Sequence, residues 1–256
     1  MSNLIDDLSG KTILVAGASS GIGEACARYL AQNGARTVLV ARRMEKLDEV
    51  RRSLDGSGHS VHAYDFSDLQ GIEMLVRQVA SEQGLLDGLV FSVGQSSSRP
   101  LKMIKPDYMI DLMRVNFLSF LELFRAITGK KAYSPDGFSV VAVSSISALL
   151  GNQSKTAYAA TKGALDASVR CLAKEFHGKN VRLNTVNPGF VRTAIYEQFK
   201  DYSGDSADAA DILKRQYLGI IEPEYIAKTV AFLLSSASRF MTGLSVPVDG
   251  GRTSSS

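Results

Sequence analysis

The sequence predicts a single α/β domain built on a doubly wound, mostly parallel sheet with helices on both faces. Runs of β-branched and other apolar residues alternate with amphipathic segments along the chain, and several runs are apolar at nearly every position. Such fully apolar strands are typical of a parallel sheet covered on both sides. No repeat or linker divides the chain, so we expect residues 1–256 to form one domain.

Six segments have the length and composition of strands. They are TILVAG (12–17), RTVLVA (36–41), SVHAYD (60–65), DGLVFSV (87–93), FSVVAVSS (138–145) and VRLNTVNP (181–188). The short links between strands and helical segments predict right-handed β-α-β crossovers.

Five segments between and beside these strands have helical periodicity. They are residues 21–34, 44–54, 69–84, about 106–128 and 155–178. Gly34, Gly84 and Gly178 are expected to end three of them, because glycine is the usual residue just past a helix C-terminus.

Two segments lack regular patterning. Residues 190–220 are rich in Ser, Gly and Asp, which predicts a lid-like loop with a short helix. The tail, residues 252–256, is predicted to fray.

Composition and charge exclude several classes of function. With 45% hydrophobic residues, 21% charged residues and a net charge of +3, the chain has no basic patch typical of nucleic-acid binding. No apolar run approaches membrane length, and the opening MSNLIDDLSG lacks the pattern of a secretory signal. We therefore expect a cytoplasmic protein without membrane or nucleic-acid partners. The three histidines have no accompanying ligand cluster, so no metal site is predicted.

A glycine-rich turn, AGASSGIG, follows the first predicted strand and opens a helix. Gly17, Gly21 and Gly23 allow a sharp turn and a close backbone approach to a pyrophosphate, and Ser19 and Ser20 add hydroxyl donors. Glycine turns also occur as simple tight connections. The strand-turn-helix context favours nucleotide binding.

The end of the second predicted strand indicates which dinucleotide would bind. It carries Arg42 and Arg43 where an NAD-binding fold usually has an acid for the ribose 2′-hydroxyl. Arginine pairs well with phosphate, so we expect NADP, with Arg42 as the main determinant. The alternative is that both arginines begin a solvated helix. Asp65, after the third strand, is a candidate for the adenine amino group or for a helix cap.

Tyr158 and Lys162 stand four positions apart in SKTAYAATKGAL (154–165), so they share one face of a helix. By itself this spacing more often reflects surface packing than catalysis. The surrounding motifs change that interpretation, because this sequence resembles the short-chain dehydrogenase/reductase family from about Lys11 to Gly251. The motifs are the glycine turn, Y-x-x-x-K, a Ser thirteen residues before the Tyr, an Asn in the preceding long helix, Pro-Gly after the sixth strand and a terminal V-D-G-G.

The resemblance implies a Rossmann-like sheet of seven strands and four catalytic residues. Tyr158 is the implied general acid/base. Its pKa is expected to be depressed in part by Lys162, which also binds the nicotinamide ribose, and further by the positive nicotinamide ring of the oxidised cofactor. Ser145 is implied to hold the carbonyl oxygen; the spacing selects it over Ser144. Asn116 is implied to place a water behind Lys162, although a helix kink or an interhelical hydrogen bond also accounts for an Asn there.

The resemblance also implies the rest of the cofactor site. In NPGFVRT, Pro188, Gly189, Val191 and Thr193 are implied to fix the nicotinamide carboxamide. The further cofactor contacts implied are Ile22, Phe66, Ser92 and Gly94.

Two positions depart from the family pattern. The usual Thr before the first glycine is Ala16, and the usual Asn-Asn-Ala-Gly after the fourth strand is here Phe91-Ser92-Val93-Gly94. In the family these elements are neighbours, so the two changes are expected to be linked. They affect cofactor contacts rather than the reacting groups.

The main hypothesis is therefore an NADP(H)-dependent oxidoreductase that interconverts a small-molecule carbonyl and a secondary alcohol. An alternative is a 3-oxoacyl-[acyl-carrier-protein] reductase, for which Lys130, Lys131 and Lys179 would contact an acidic carrier protein. A third hypothesis is a non-catalytic NADP(H)-binding regulator or scaffold. The resemblance also implies a homotetramer or dimer that packs residues 107–128 and 154–177.

Overall fold

The predicted parallel sheet is present and has seven strands. A computed structural model describes residues 6–96, 98–193 and 214–255. The strand order is β3-β2-β1-β4-β5-β6-β7, and all six pairings are parallel. The strands are β1 (Thr12–Ala16), β2 (Arg36–Ala41), β3 (Ser60–Ala63), β4 (Gly88–Phe91), β5 (Phe138–Val143), β6 (Val181–Pro188) and β7 (Ser245–Val248).

Helices cover both faces of this sheet. Those of the described residues are α1 (Gly21–Gln32), α2 (Met44–Arg52), α3 (Ile72–Gln83), α4 (Pro106–Met113), α5 (Ser119–Gly129), α6 (Thr156–Glu175) and α7 (Pro223–Leu234). Leu14 and Ala16 of β1 pack with α3, α5 and α6, whereas Ile13 and Val15 pack with α1, α2 and α7. Successive residues of a strand point to opposite faces, so each strand contributes to two cores.

The order of the strands determines where a ligand can bind. Strand β1 has β2 on one side and β4 on the other, so the chain reverses its winding direction at β1. Ligands of doubly wound sheets bind beyond the carboxyl ends of the strands at this switch point. The glycine turn that follows Ala16 lies at that position.

The long helix predicted from 106 to 128 is interrupted. A π-helical turn, Arg114–Leu118, separates α4 from α5 and contains Asn116. Within the same stretch the Ser119 hydroxyl donates to the Val115 carbonyl at 2.6 Å. Periodicity did not indicate the break, because a π turn adds only one residue to the helical repeat.

Some boundaries also differ from prediction. Gly34 and Gly84 follow helix ends with φ of +81° and +79°, as expected of C-terminal stops. Helix α6 instead ends at Glu175, and the left-handed residue is Asn180 with φ +53° rather than Gly178. Strand β7 is only half-buried, which explains why no apolar run marks it in the sequence.

The tail is more regular than the predicted fraying. Residues 252–254 form a short 3₁₀ helix. The Asp249 carboxylate accepts hydrogen bonds from the backbone N–H groups of Gly251 at 3.0 Å and Thr253 at 2.7 Å. The Ser255 hydroxyl donates to the Arg215 carbonyl at 2.8 Å, which connects the tail to the segment before α7.

Arg182 of β6 holds the C-terminus of α7 in place. Its guanidinium donates to the backbone carbonyls of five residues at 2.8–3.4 Å: Leu233, Leu234, Ser235, Ser238 and Met241. Carbonyls at the end of a helix lack intrahelical donors, so the half-buried guanidinium of Arg182 donates to several at once. No helix among the described residues is both long and apolar enough to cross a membrane.

Candidate active site

The glycine turn packs closely against the loop after β4 and against its own backbone. Gly17 has φ +87°, and a Cβ added there would lie 2.7 Å from the carbonyl of Ser92. A Cβ on Gly23 would collide with the carbonyl of Gly17. Both positions therefore require glycine.

Polar groups predicted for a phosphate lie at the start of α1. Ser20 precedes the helix, and its side chain makes no capping hydrogen bond. The Ser19 hydroxyl accepts from the Arg43 guanidinium at 3.4 Å, so one predicted arginine reaches the turn. Thr193 also lies here, because its methyl carbon would be 3.3 Å from a Cβ on Gly21.

The other residues predicted to contact the adenosine differ in their surroundings. Arg42 is exposed and makes no hydrogen bond or ion pair with any described residue. The exposed Asp65 carboxylate accepts from the Ser67 backbone N–H at 2.9 Å, which closes a local turn and does not cap α3. The Phe66 side chain is buried against Phe91, so only its backbone is available to a cofactor.

The two departures from the family pattern are neighbours, as expected. Ala16 pairs with Phe91 in the parallel register, and both side chains are fully buried in the same core. The Phe91 ring packs edge-on against Phe120 at 5.3 Å between centroids. A small residue at 16 and an aromatic residue at 91 therefore lie side by side in the same core.

Ser144 and Ser145 at the end of β5 have different surroundings. The buried Ser144 hydroxyl donates to the Lys162 backbone carbonyl at 3.3 Å, which joins β5 to α6. The half-buried Ser145 hydroxyl instead hydrogen-bonds the Tyr158 phenol and accepts from the Ser147 N–H at 3.1 Å. The orientation therefore favours Ser145, the residue selected by spacing.

The acid-base properties of Tyr158 differ from the expected ones. Burial raises the pKa of Tyr158 above its ordinary value, and the hydrogen bond from Ser145 opposes this. The Lys162 ammonium lies 5.9 Å from the centroid of the tyrosine ring and donates to the Val143 carbonyl at 2.8 Å. Desolvation of the phenolate dominates at this distance, so the phenol is protonated at neutral pH.

Lys162 is buried, with 3% of its surface exposed. Burial lowers its pKa to about 8, and the negative charge of Asp166 opposes the shift. A Cβ on Gly94 would lie 3.3 Å from the ammonium, so the loop after β4 passes directly over it. This loop separates the lysine from the glycine turn.

Asn116 in the π turn fixes the same loop. Its carboxamide accepts from the Gln95 N–H at 2.8 Å and donates to the Gln95 carbonyl at 3.0 Å and to the Thr161 hydroxyl at 3.1 Å. Both the helix irregularity and the interhelical hydrogen bond considered for an Asn here are therefore present. Irregular π turns of this kind are frequent at functional sites.

The Pro-Gly segment closes the other side of the site. Pro188 ends β6, and the Gly189 N–H donates to the Val248 carbonyl at 3.0 Å. Val191 forms a short parallel bridge with Ile221, so the two ends of the predicted lid are paired. The middle of that lid, residues 194–213, lies outside the described residues.

Sequence reasoning missed three polar residues around this site. Gln216 is fully buried; its amide accepts from the Phe190 N–H at 2.8 Å and donates to the Phe190 carbonyl at 3.0 Å. Asp166 and Asn187 are also buried and hydrogen-bonded to each other. The available signal for Asp166 was its spacing, because it follows Lys162 by four residues on the same face of α6.

The sheet order and the glycine turn at its switch point define a Rossmann-like α/β protein. A family model described as enoyl-(acyl carrier protein) reductase matches residues 17–253. The chain belongs to the short-chain dehydrogenase/reductase family, which is a family of oxidoreductases.

Similar proteins cover almost the whole chain. A 3-oxoacyl-[acyl-carrier-protein] reductase from Thermotoga maritima is 31% identical over 95% of this chain and 98% of its own. A 7alpha-hydroxysteroid dehydrogenase from Bacteroides fragilis is 30% identical over 95% of this chain and 94% of its own length. The crystal structure of L-sorbose reductase from Gluconobacter frateurii, complexed with NADPH and L-sorbose, is similar to this fold with a TM-score of 0.86 at 28% sequence identity. The match covers 96% of this chain and 97% of the reductase chain.

Proposed function

We propose that this protein is an NADP(H)-dependent oxidoreductase that interconverts a carbonyl group and a secondary alcohol of a small molecule. The observation that carries the proposal is the hydrogen bond between Ser145 and Tyr158, next to a buried Lys162. The loop from Ser92 to Gly94 adjoins both this group and the glycine turn, because Ser92 lies against Gly17 and Gly94 lies against Lys162. A substrate carbonyl at Tyr158 would therefore adjoin a nicotinamide bound along the turn.

Each side chain has a distinct chemical role in this proposal. The bound nicotinamide supplies or accepts the hydride. Ser145 donates a hydrogen bond to the carbonyl oxygen, and Tyr158 delivers the proton. A protonated Tyr158 acts as the acid when a carbonyl is reduced, and its phenolate acts as the base in the reverse reaction. Lys162 orients the nicotinamide ribose and contributes positive charge, while Asn116 fixes the loop that covers it.

The basic end of β2 supports NADP over NAD. Arg42 is exposed and unpaired within the described part of the chain, and Arg43 already reaches Ser19 of the glycine turn. A 2′-phosphate would provide the anionic partner that these guanidinium groups lack. The NADPH in the L-sorbose reductase structure belongs to a protein of the same fold.

Turnover of a carbonyl panel tests the proposal. The purified protein is mixed with NADPH or NADH and with ketones of several classes, including sugars, steroids and 3-oxoacyl thioesters, and nicotinamide oxidation is followed at 340 nm. We expect at least one ketone to be reduced faster with NADPH. Tight NADPH binding without reduction of any panel member would favour the regulator or scaffold instead.

A second candidate is a 3-oxoacyl-[acyl-carrier-protein] reductase, which the name of the Thermotoga maritima relative favours. Of the three lysines considered for carrier binding, Lys130 is paired with Glu73 at 2.8 Å and the Lys179 ammonium lies over the Phe176 ring at 4.4 Å. Lys131 is exposed. Reduction of the acyl-carrier-protein thioester should then be inhibited by free carrier protein at low salt. Equal rates with a small thioester analogue would reject this candidate.

We further propose a homodimer or homotetramer that packs α5 and α6. Ala160 and Ala167 of α6 are exposed in the single chain and leave room for a helix to approach, whereas Ala157 is buried internally. Sedimentation equilibrium of the wild type and of Ala160→Arg measures the molar mass of the assembly in solution. We expect a dimer or tetramer for the wild type and dissociation of it in Ala160→Arg. A monomeric wild type would contradict the proposed assembly.

A further inference from the structure

Asp166 is a buried acidic residue that the proposed reaction leaves without a role. It lies on α6 with 4% of its surface exposed. One carboxylate oxygen accepts from the Asn187 amide at 2.8 Å, and the other has no hydrogen-bond partner among the described residues. A buried carboxylate with a free oxygen is costly unless an opposite charge is close.

Lys162 is placed to provide that charge. Tyr158, Lys162 and Asp166 follow each other at four-residue intervals along one face of α6. Lys162 is equally buried, and within the described part of the chain the carboxylate of Asp166 is the charge that opposes the lowering of its pKa by burial. The two charges therefore compensate each other within a region of low dielectric constant.

Asn187 extends this arrangement to the substrate side. Its amide donates to Asp166 and also to the Ser145 backbone carbonyl at 3.2 Å. Its own carbonyl oxygen accepts from the Thr185 hydroxyl at 3.2 Å. Asp166 is thus linked through Asn187 to the backbone of Ser145, and its charge acts on Lys162.

We propose that Asp166 is a positioning residue of this active site: its carboxylate is the fixed counter-charge of Lys162 and, through Asn187, holds the main chain of Ser145. The effect of Asp166 on turnover rests on the proposed oxidoreductase function. Its effect on the pKa of Lys162 does not depend on that function.

The remaining groups around Lys162 leave Asp166 as the group that can serve this purpose. The elements packed against the ammonium present the neutral Val143 carbonyl of β5, the backbone of Gly94 and, nearby, the neutral carboxamide of Asn116. The titratable neighbour on α6 is the Tyr158 phenol. A second ammonium, that of Lys155, lies 5.7 Å from the Tyr158 ring centroid and adds positive rather than negative charge.

Nuclear magnetic resonance of the intact protein tests the counter-charge without any substrate. The ¹³Cε signal of Lys162, assigned with Lys162→Met, is titrated in the wild type and in Asp166→Asn. We expect the pKa of Lys162 to fall by about one unit or more in Asp166→Asn, because the opposing charge is lost. The matched control is Thr185→Val, which breaks a hydrogen bond of the same network without changing charge and should leave that pKa in place.

A second readout guards against misfolding of the variant. The ¹³Cγ shift of Asp166 in the wild type must be that of an ionised carboxylate at pH 7; a protonated carboxyl would overturn the proposal. An unchanged pKa of Lys162 in folded Asp166→Asn would do the same.

If a substrate is found, the alkaline limb of its pH-rate profile should shift to lower pH in Asp166→Asn by about the same amount. A uniform loss of rate without a shift would mean that Asp166 is only structural. If no substrate is found, the proposed function is rejected. The nuclear magnetic resonance titration still tests whether Asp166 is the counter-charge of Lys162.

Discussion

Two cationic regions of the molecule, one around Lys162 and one at Arg42, are organised in opposite ways. Lys162 is buried, donates to a backbone carbonyl and has a carboxylate one helical turn away. Arg42 is exposed and has no partner within the described residues. Proton transfer requires a group held in one geometry, whereas a phosphate-binding guanidinium receives its partner from the ligand. We therefore expect buried polar contacts to mark the reacting groups of the proposed function, and unpaired exposed charge to mark its cofactor determinant.

The largest expected effect concerns the buried region. Tyr158→Phe removes the hydroxyl that would carry the proton, so turnover with NADPH should fall about 10³-fold. The ring remains in place, so the dissociation constant for NADPH should change by less than about twofold. Initial rates and cofactor fluorescence measure the two quantities. More than a tenth of the wild-type rate in this variant would show that another group is the acid.

A third cation, Arg182, donates its hydrogen bonds to backbone carbonyls, so we expect its removal to affect stability rather than turnover. Arg182→Ala removes five hydrogen bonds to carbonyls at and just beyond the end of α7. The carbonyls of Leu233, Ser235 and Met241 keep other donors, so the free energy of unfolding should fall by about 2 kcal/mol. Chemical denaturation measures the loss. The matched control, Arg239→Ala, removes an exposed guanidinium over Phe240 and should cost less than about 0.5 kcal/mol. Equal losses would mean that the contacts of Arg182 are not stabilising.

Removal of Arg42 tests the exposed region. Arg42→Ala should weaken NADPH binding about 10-fold or more while leaving NADH binding unchanged, because only NADPH carries the 2′-phosphate. Arg52→Ala, at the exposed end of α2, is the matched control and should leave the ratio of dissociation constants unaltered. An unchanged ratio of the NADH and NADPH dissociation constants in Arg42→Ala would remove the basis for the assignment to NADP. The melting temperature should be the same in all three proteins.

The smallest expected effect is a pH dependence of stability at the edge of the sheet. Burial lowers the pKa of His62 below 6.5, and Glu82 opposes this. The unfolded chain therefore binds the proton more readily, so this contribution is fully present above about pH 6.5 and is lost as pH falls below that value. Melting temperatures between pH 8 and pH 5 should show a small decline that His62→Asn reduces. An identical decline in His62→Asn would assign it to other groups; His177→Asn is the exposed control.

Much of the fold follows from the sequence because buried parallel strands leave a clear apolar signal. Six strands were predictable within two residues at each end, as were the starts of α1, α2 and α6. The half-buried β7 and the π turn at Asn116 were not, because neither changes the hydrophobic period enough to be noticed. Tertiary packing, rather than local propensity, determines both.

The candidate site was predictable where residue type and spacing combine, and less so where burial decides the chemistry. Spacing alone selected Ser145 over Ser144, and the structure orients it toward Tyr158. Burial raises the pKa of Tyr158, and neither this burial nor the distance to Lys162 could be read from the sequence, because both are properties of the fold. The depressed pKa expected in the complex with oxidised cofactor stays a prediction. Asp166 was missed because a single acid on a helix usually faces solvent.

A crystal structure of the protein with NADPH tests the central claim most directly, because it reports on both regions at once. The account predicts the 2′-phosphate within hydrogen-bonding distance of the Arg42 guanidinium, and the nicotinamide ring beside Tyr158 with its ribose at Lys162. A 2′-phosphate away from both Arg42 and Arg43, or a nicotinamide that does not reach Tyr158, would contradict it.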